Sequence, residues 1–300
     1  MGCMKVLVLC VVLGYICLSS CAITADTASL AFSDDTTIVS CVGALQTEGD
    51  LLVRSNGIRE VFGSSGKSIK VGVIANGVES LELSQRMGEL GPVTIFERGT
   101  GDEGTAMLEI IHDIAPDAEL YFHAYGGNSD EFKRAVSTLA DAGCRIICDD
   151  LYFFRQPFLE DGDVADHIRE VLKSHPDCIY VTVSGNFASL HYQKPWKPGL
   201  SIGPDQTVHD FGDGNSAVPM VLKPDDEVII TLQWDDPWGG AVHDYDLFLT
   251  DPTRGEVVGT SMNIQDYTGE PFEHLVFRNE VNESRRVSLS IIRNGGNITP

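Results

Sequence analysis

From Ile69 onward the chain alternates short continuous apolar runs with amphipathic stretches of helical period. The runs are "IKVGVIANG" (69–77), "PVTIFE" (92–97), "AELYFHA" (118–124), "CRIICDDLYF" (144–153) and "CIYVTVSGN" (178–186). Uninterrupted apolar runs of this length fit strands buried on both faces. Between them lie "ESLELSQRMGEL", residues 103–114, "SDEFKRAVSTLADAG" and "DVADHIREVLKSH". In 103–114 the residues Met107, Ile110, Ile111 and Ile114 share one helical face. Strands that alternate with helices predict an α/β domain over 67–202, with a doubly wound and mostly parallel sheet.

Near residue 200 the pattern changes to short alternating strands separated by Gly, Pro, Asn and Asp. "EVIITLQWDD", "HDYDLFLTDP", "GEVVGTSMNI", "EHLVFRNE" and "RRVSLSIIRN" predict a β-sandwich over 203–300. Residues 22–66 read as an N-terminal extension and linker, with helical spacing in "ALQTEGDLLVRSNGIREVFG" and then "SSGKS".

Three hundred residues agree with two domains. The 21 Lys and Arg against 44 Asp and Glu give a net charge of −23, which argues against nucleic acid as a partner. Residues 1–21 open with one Lys and an apolar run from Val6 to Leu18, too short for a comfortable membrane span and placed like the core of an export signal. The run ends Leu18-Ser19-Ser20-Cys21, similar to a lipobox that would acylate Cys21; ordinary cleavage near Ala22 is the alternative. Either reading sends the protein out of the cytoplasm, to the cell surface or beyond it. Beyond residue 21, Cys41, Cys144, Cys148 and Cys178 have no CxxC spacing, so no zinc site is indicated. Cys144 and Cys178 each precede a strand; a disulfide between them and a pair of free thiols both stay open.

In open parallel sheets function gathers beyond the carboxyl ends of the strands. Four such ends stand out: Ala75-Asn76-Gly77, the turn 100–104, Asp149-Asp150 and Ser184-Gly185-Asn186. Their order and spacing resemble the subtilisin-like serine peptidases. "VGVIANGVE" is similar to that family's Asp-bearing strand end, "DEGTAM" to its His-Gly-Thr helix start, and "VTVSGN" to its Ala-Gly-Asn. The likeness extends over about 55–300 and points to a divergent extracellular branch with Glu in place of the His.

The resemblance puts Glu103 where the family has its general base. A Glu titrates near 4.3 against about 6.5 for His, so it is the weaker base at neutral pH unless burial raises it. A helix N-terminus opposes that by favouring the carboxylate, by ~0.3–1 kcal/mol. The family's Asp falls on Ala75 or Asn76; an Asn amide at that point is expected to donate to the Glu103 carboxylate, where a second acid would repel it. Asn186 matches the oxyanion-hole Asn. Asp149, Asp150 and Gly185 would border the substrate groove. An acid in the first helical turn is also common for dipole reasons alone.

The family's nucleophile is not matched. Gly259-Thr260-Ser261-Met262 carries the letters of the Ser motif but lies in an alternating strand, so Ser261 reads as structural; Ser184 and Ser189 fit no nucleophile motif. Glu109 and His112 share a helix face without a further ligand. No cofactor is called for, although Asp235, Asp236, Asp244 and Asp246 are an oxygen-rich set of the kind that suits calcium. The resemblance implies an exported peptidase homologue acting on polypeptide, without its Ser in these 300 residues. The alternative is a non-catalytic surface protein that binds peptides or glycans.

Overall fold

The computed structural model describes residues 5–13, 43–187 and 190–295; of 5–13 it describes the backbone. Cys21, Cys41, Ser189 and most of the 22–66 stretch before residue 43 lie outside the described residues. In chain order the elements are β1 Lys5–Leu13, α1 Glu48–Leu52, α2 Ser55–Phe62, β2 Lys70–Ala75, α3 Leu81–Met87, β3 Val93–Glu97, α4 Glu103–Ile114, β4 Glu119–Ala124, α5 Ser129–Asp141, β5 Ile146–Asp149, α6 Asp163–Ser174 and β6 Ile179–Val181. They continue with β7 His191–Pro195, β8 Pro198–Gly203, β9 Gln206–His209, β10 Val218–Leu222, β11 Glu227–Trp234, β12 Asp244–Asp251, β13 Glu256–Ser261, β14 Phe272–Arg278 and β15 Arg285–Asn294.

The chain forms two compact units. The first holds residues 43–156 and 161–185 and is α/β. Its five strands are parallel, in the order β3-β4-β2-β5-β6. The pleat of β2 sends Val71, Val73 and Ala75 to one face and Ile74 to the other. Val71, Val73 and Ala75 pack with Leu81 of α3 and Leu108 of α4. Ile74 packs with Phe132, Val136 and Leu139 of α5 and Val171 of α6. Helices therefore cover both faces, and β2 is apolar throughout because both its faces are buried.

Within the stretch read as having helical spacing, Glu48–Leu52 and Ser55–Phe62 are two short helices of this unit. Buried Asp50 ties them: Arg59 donates to both its carboxylate oxygens, at 2.7 and 2.6 Å, and to the Ile114 carbonyl at 2.8 Å. Asp113 of α4 accepts from the Gly43 and Thr47 N–H groups at 3.1 and 2.6 Å. Cys144, Cys148 and Cys178 are free thiols; burial pushes Cys144 up to about 12 and Cys148 up to about 11.

The second unit holds residues 5–13, 157–160 and 186–295 and is antiparallel. One sheet runs β14-β11-β1-β7; the other runs β13-β12-β15-β9-β8, with β10 pairing β15. One apolar cluster draws on both sheets, with Ile230, Leu232 and Trp234 of β11 beside Tyr245 and Leu247 of β12 and Leu289 and Ile291 of β15. The boundary expected at 202/203 falls at 185/186 instead. The reason is that β7 and β8 pair with β1 and β9 rather than with the parallel sheet. Residues 157–160 belong here too: the Phe158 N–H donates to Gln233 Oε1 at 2.8 Å, and Glu160 Oε1 accepts from the Trp238 N–H at 2.6 Å.

Val6–Leu13 of the apolar run read as an export leader lie in β1, an inner strand of the four-stranded sheet, and residues 14–18 lie outside the described residues. Strand β1 pairs with β11 from Val6↔Trp234 to Leu13↔Glu227 and with β7 from Lys5↔Pro195 to Leu9↔His191. Among the described residues no helix is long and apolar enough to cross a membrane.

Candidate functional site

Strands β2 and β5 are neighbours whose chains leave in opposite directions, β2 to α3 on one face and β5 to α6 on the other. A crevice beyond the carboxyl ends of such a pair is where ligands bind in open α/β sheets. The loop after β3 is laced to the loop after β2 at this point. Thr100 N–H donates to the Asn76 carbonyl at 3.1 Å, Glu79 N–H to that of Gly101 at 3.0 Å and Gly104 N–H to that of Gly77 at 3.0 Å. Asp102 accepts from the Ser80 N–H at 2.6 Å and from the Thr105 hydroxyl at 3.0 Å. The fit leaves no room for side chains: a Cβ on Gly99 would lie 1.9 Å from the Asn76 carbonyl oxygen, and one on Gly101, at φ +94°, 2.6 Å from Asn76 Nδ2.

This lacing fixes Glu103 as the first residue of α4. Of Ala75 and Asn76, Ala75 ends β2 fully buried in the core, and Asn76 follows it in the loop. Its contact differs from the expected one. Asn76 Oδ1 accepts from the Glu103 main-chain N–H at 3.2 Å and from the Gly77 N–H at 2.6 Å. The first N–H groups of a helix lack intrahelical partners, and the amide oxygen is drawn to one of them.

The Glu103 carboxyl meets Asp150. Partial burial is the main reason its pKa is raised; the hydrogen bond to Asp150 and the repulsion from that second acid act in the same direction. The Tyr152 hydroxyl is pushed up as well, first by burial and then by the charge of Glu103. Burial and Asp150 together keep the proton on Glu103 to a higher pH than an ordinary Glu would hold it.

The adjacent acids of "CDD" therefore part company. Asp149 is buried and accepts from the Tyr180 hydroxyl at 2.6 Å, the Leu151 N–H at 3.0 Å and the Thr182 hydroxyl at 3.2 Å. Burial still holds its pKa above the ordinary value, and it raises Tyr180 too. Asp149 joins β5 to β6 and is not a groove residue. Asp150, one residue on, turns to the crevice.

No family model matches this chain, and no curated protein matches it. Among solved structures, a match to an NRPS protein containing adenylation and PCP domains, bound to a vinylsulfonamide inhibitor, is 12% identical and has a TM-score of 0.17. It covers 64% of this chain and 38% of that one, so this chain spans well under half of that structure. So weak a likeness carries no argument.

Gly185, at φ +79°, closes the α/β unit, and exposed Asn186 opens the antiparallel unit. Ser261 is nine-tenths buried on β13: its hydroxyl donates to Glu273 and accepts from the His274 N–H at 3.0 Å. Glu273 also accepts from the Asn263 N–H at 2.8 Å and from Gln265 Nε2 at 3.0 Å. The four calcium-candidate aspartates do not form one ligand set. Asp236 is taken up by Trp234 Nε1, the Val242 and His243 N–H groups and His243 Nδ1, at 2.7–3.1 Å. Asp235 is exposed, while Asp244 and Asp246 accept from Asn294 Nδ2 at 3.2 and 2.8 Å. Among the described residues no group of three His, Cys, Asp or Glu side chains is placed to hold a metal. Sequence reasoning missed Tyr152 and Tyr180, whose only signal was a tyrosine next to or opposite an acid.

Proposed function

We propose that the α/β unit is a subtilisin-like peptidase scaffold of an exported protein, joined to a β-sandwich, and that it engages polypeptide at the crevice between β2 and β5. In this reading Glu103 stands where the family has His and shares a proton with Asp150. The observation that carries it is that carboxyl pair, fixed by the lacing of Asn76, Gly99 and Gly101 at a strand-end crevice. A raised acid is a better proton acceptor near neutrality than an ordinary Glu, and a second carboxyl can receive the proton when it moves.

The 300-residue chain is proposed to bind polypeptide without cleaving it. Ser261, the residue with the letters of the nucleophile motif, is consumed by Glu273 and His274. A nucleophilic Ser needs a base on its hydroxyl and an accessible approach. The same observation favours the second reading, a peptide-binding surface protein that performs no hydrolysis in any form.

The full chain should give no labelling with a fluorophosphonate and no turnover of unfolded casein, yet should bind casein, more weakly in Glu103→Gln and Asp150→Asn. Casein binding that ignores both substitutions removes the crevice from the account. Labelling at Ser261 overturns the assignment of that residue. If a longer form of the protein cleaves casein and loses that activity in Glu103→Ala, the enzyme reading prevails over the binding one.

A further inference from the structure

A cleft of about 350 Å³ opens in the α/β unit between the Leu45–Thr47 strand of chain, α3 and α4, away from the carboxyl pair. Its apolar lining is Leu45, Leu83, Met87 and Ile110, all largely exposed, at 70%, 49%, 60% and 46%. Three acids, Glu89, Glu109 and Asp113, stand among them, and among the described residues no Lys or Arg lines the cleft. Arg59, which feels the charge of Asp113, is committed to Asp50 through both of its terminal nitrogens. Glu89 Oε2 accepts from the Leu45 N–H at 3.1 Å, and Asp113 from Gly43 and Thr47, so these two acids hang the lip of the cleft on neutral donors. Ser84, 4% exposed, also lines the cleft, and its Oγ has no hydrogen-bond partner.

Exposed apolar walls lose free energy to water until something covers them, and a buried hydroxyl without a partner is costly. An uncompensated group of carboxylates selects what that cover carries. We propose that this cleft binds a small organic cation: an ammonium or guanidinium group on an apolar body, as an arylalkyl amine or a basic side chain presents. The apolar body lies on Leu83, Met87 and Ile110. The cation donates to the Glu109 carboxylate. This site is separate from the peptide crevice and does not depend on that reading.

The test uses the full chain and two nearly isosteric probes, 4-phenylbutylamine and 4-phenylbutan-1-ol, followed by calorimetric titration. The amine should bind about fivefold more tightly than the alcohol at low ionic strength, with the ratio shrinking as salt is added. In Glu109→Gln the ratio should fall towards one with alcohol binding unchanged. In Leu83→Ala both probes should weaken while the ratio holds. Equal affinity for amine and alcohol, a ratio indifferent to Glu109→Gln, or no binding of either probe overturns the proposal. An unchanged thermal unfolding midpoint in Glu109→Gln excludes misfolding as the cause of a lost ratio.

Discussion

The side-chain oxygen of Asn76, at the end of β2, accepts from the main-chain N–H of Glu103, 27 residues further on, at 3.2 Å. It caps a helix that belongs to another strand's connection, so one amide both holds α4 and sets where its first carboxyl stands. Asn76→Ala removes that acceptor and the one for Gly77. A loss of about 1 kcal/mol, typical of a helix cap, is expected in urea unfolding. A neutral substitution would show that the backbone lacing alone holds the turn.

Glu103→Gln should change stability in a pH-dependent way. Burial and Asp150 hold the Glu103 carboxyl above its ordinary value. The folded chain thus keeps a proton that the unfolded chain has released between about pH 4.3 and the raised pKa. Stability contributed by that proton is present below the window and is lost as pH rises through it. The Gln variant escapes this loss. It should be more stable than the native chain near neutrality, by no more than about 1 kcal/mol because the carboxyl is only partly buried and solvent screens it, and indistinguishable from it in acid. A constant difference at both ends of the range is the contrary result.

Arg59→Ala should be among the most damaging single changes in the α/β unit. It strips both guanidinium contacts from Asp50, which is fully buried, and leaves a charge without its partner. A loss of about 3 kcal/mol is expected. Arg59 holds the Asp50 carboxyl well below the usual carboxylate range. The stability this supplies is present above about pH 3.9 and is lost as pH falls towards the depressed value. The variant's stability should therefore depend less on acid than the native chain's.

Gly101→Ala tests the tightness of the lacing. It forces an L residue to φ +94° and drives its Cβ to 2.6 Å from Asn76 Nδ2. A cost of about 1–3 kcal/mol is expected, together with weaker casein binding. Free tolerance of alanine would mean that the turn relaxes readily.

Ser261→Ala removes one of the donors that satisfy buried Glu273. It should lower the thermal midpoint of the antiparallel unit, with a loss of about 1–3 kcal/mol, because a buried acceptor loses its partner. A residue poised only as a nucleophile would leave stability unchanged.

The five strands of the parallel sheet and the helices between them were legible because each run had one uninterrupted period. The antiparallel strands from 227 onward were legible for the same reason. The boundary was not: β7 and β8 contain Pro195 and Pro198 and alternate poorly, and only their pairing partners assign them. Glu103 and Asp150 could be named from strand ends alone. The split between Asp149 and Asp150 could not, because adjacent residues of a strand point opposite ways and the sequence does not say which one is inward. Asp236 and Asp244 were read as one set because they are close in sequence, whereas the loop 236–243 folds onto Asp236 alone.

The nine residues of β1 complete a sheet and also carry the pattern of an export leader. Were residues 1–21 an export leader, the two roles would compete in time. A polypeptide threads through a secretion channel only while it is unfolded, and a leader in use there is not available to β11 and β7. Once β1 is laid between them it is withdrawn from the export machinery, and a peptidase that excises it after folding would open a gap across a ladder running from Trp234 to Glu227. A chain without β1 would therefore present β11 and β7 as bare edges, and the two forms would differ in sheet pairing as well as in length.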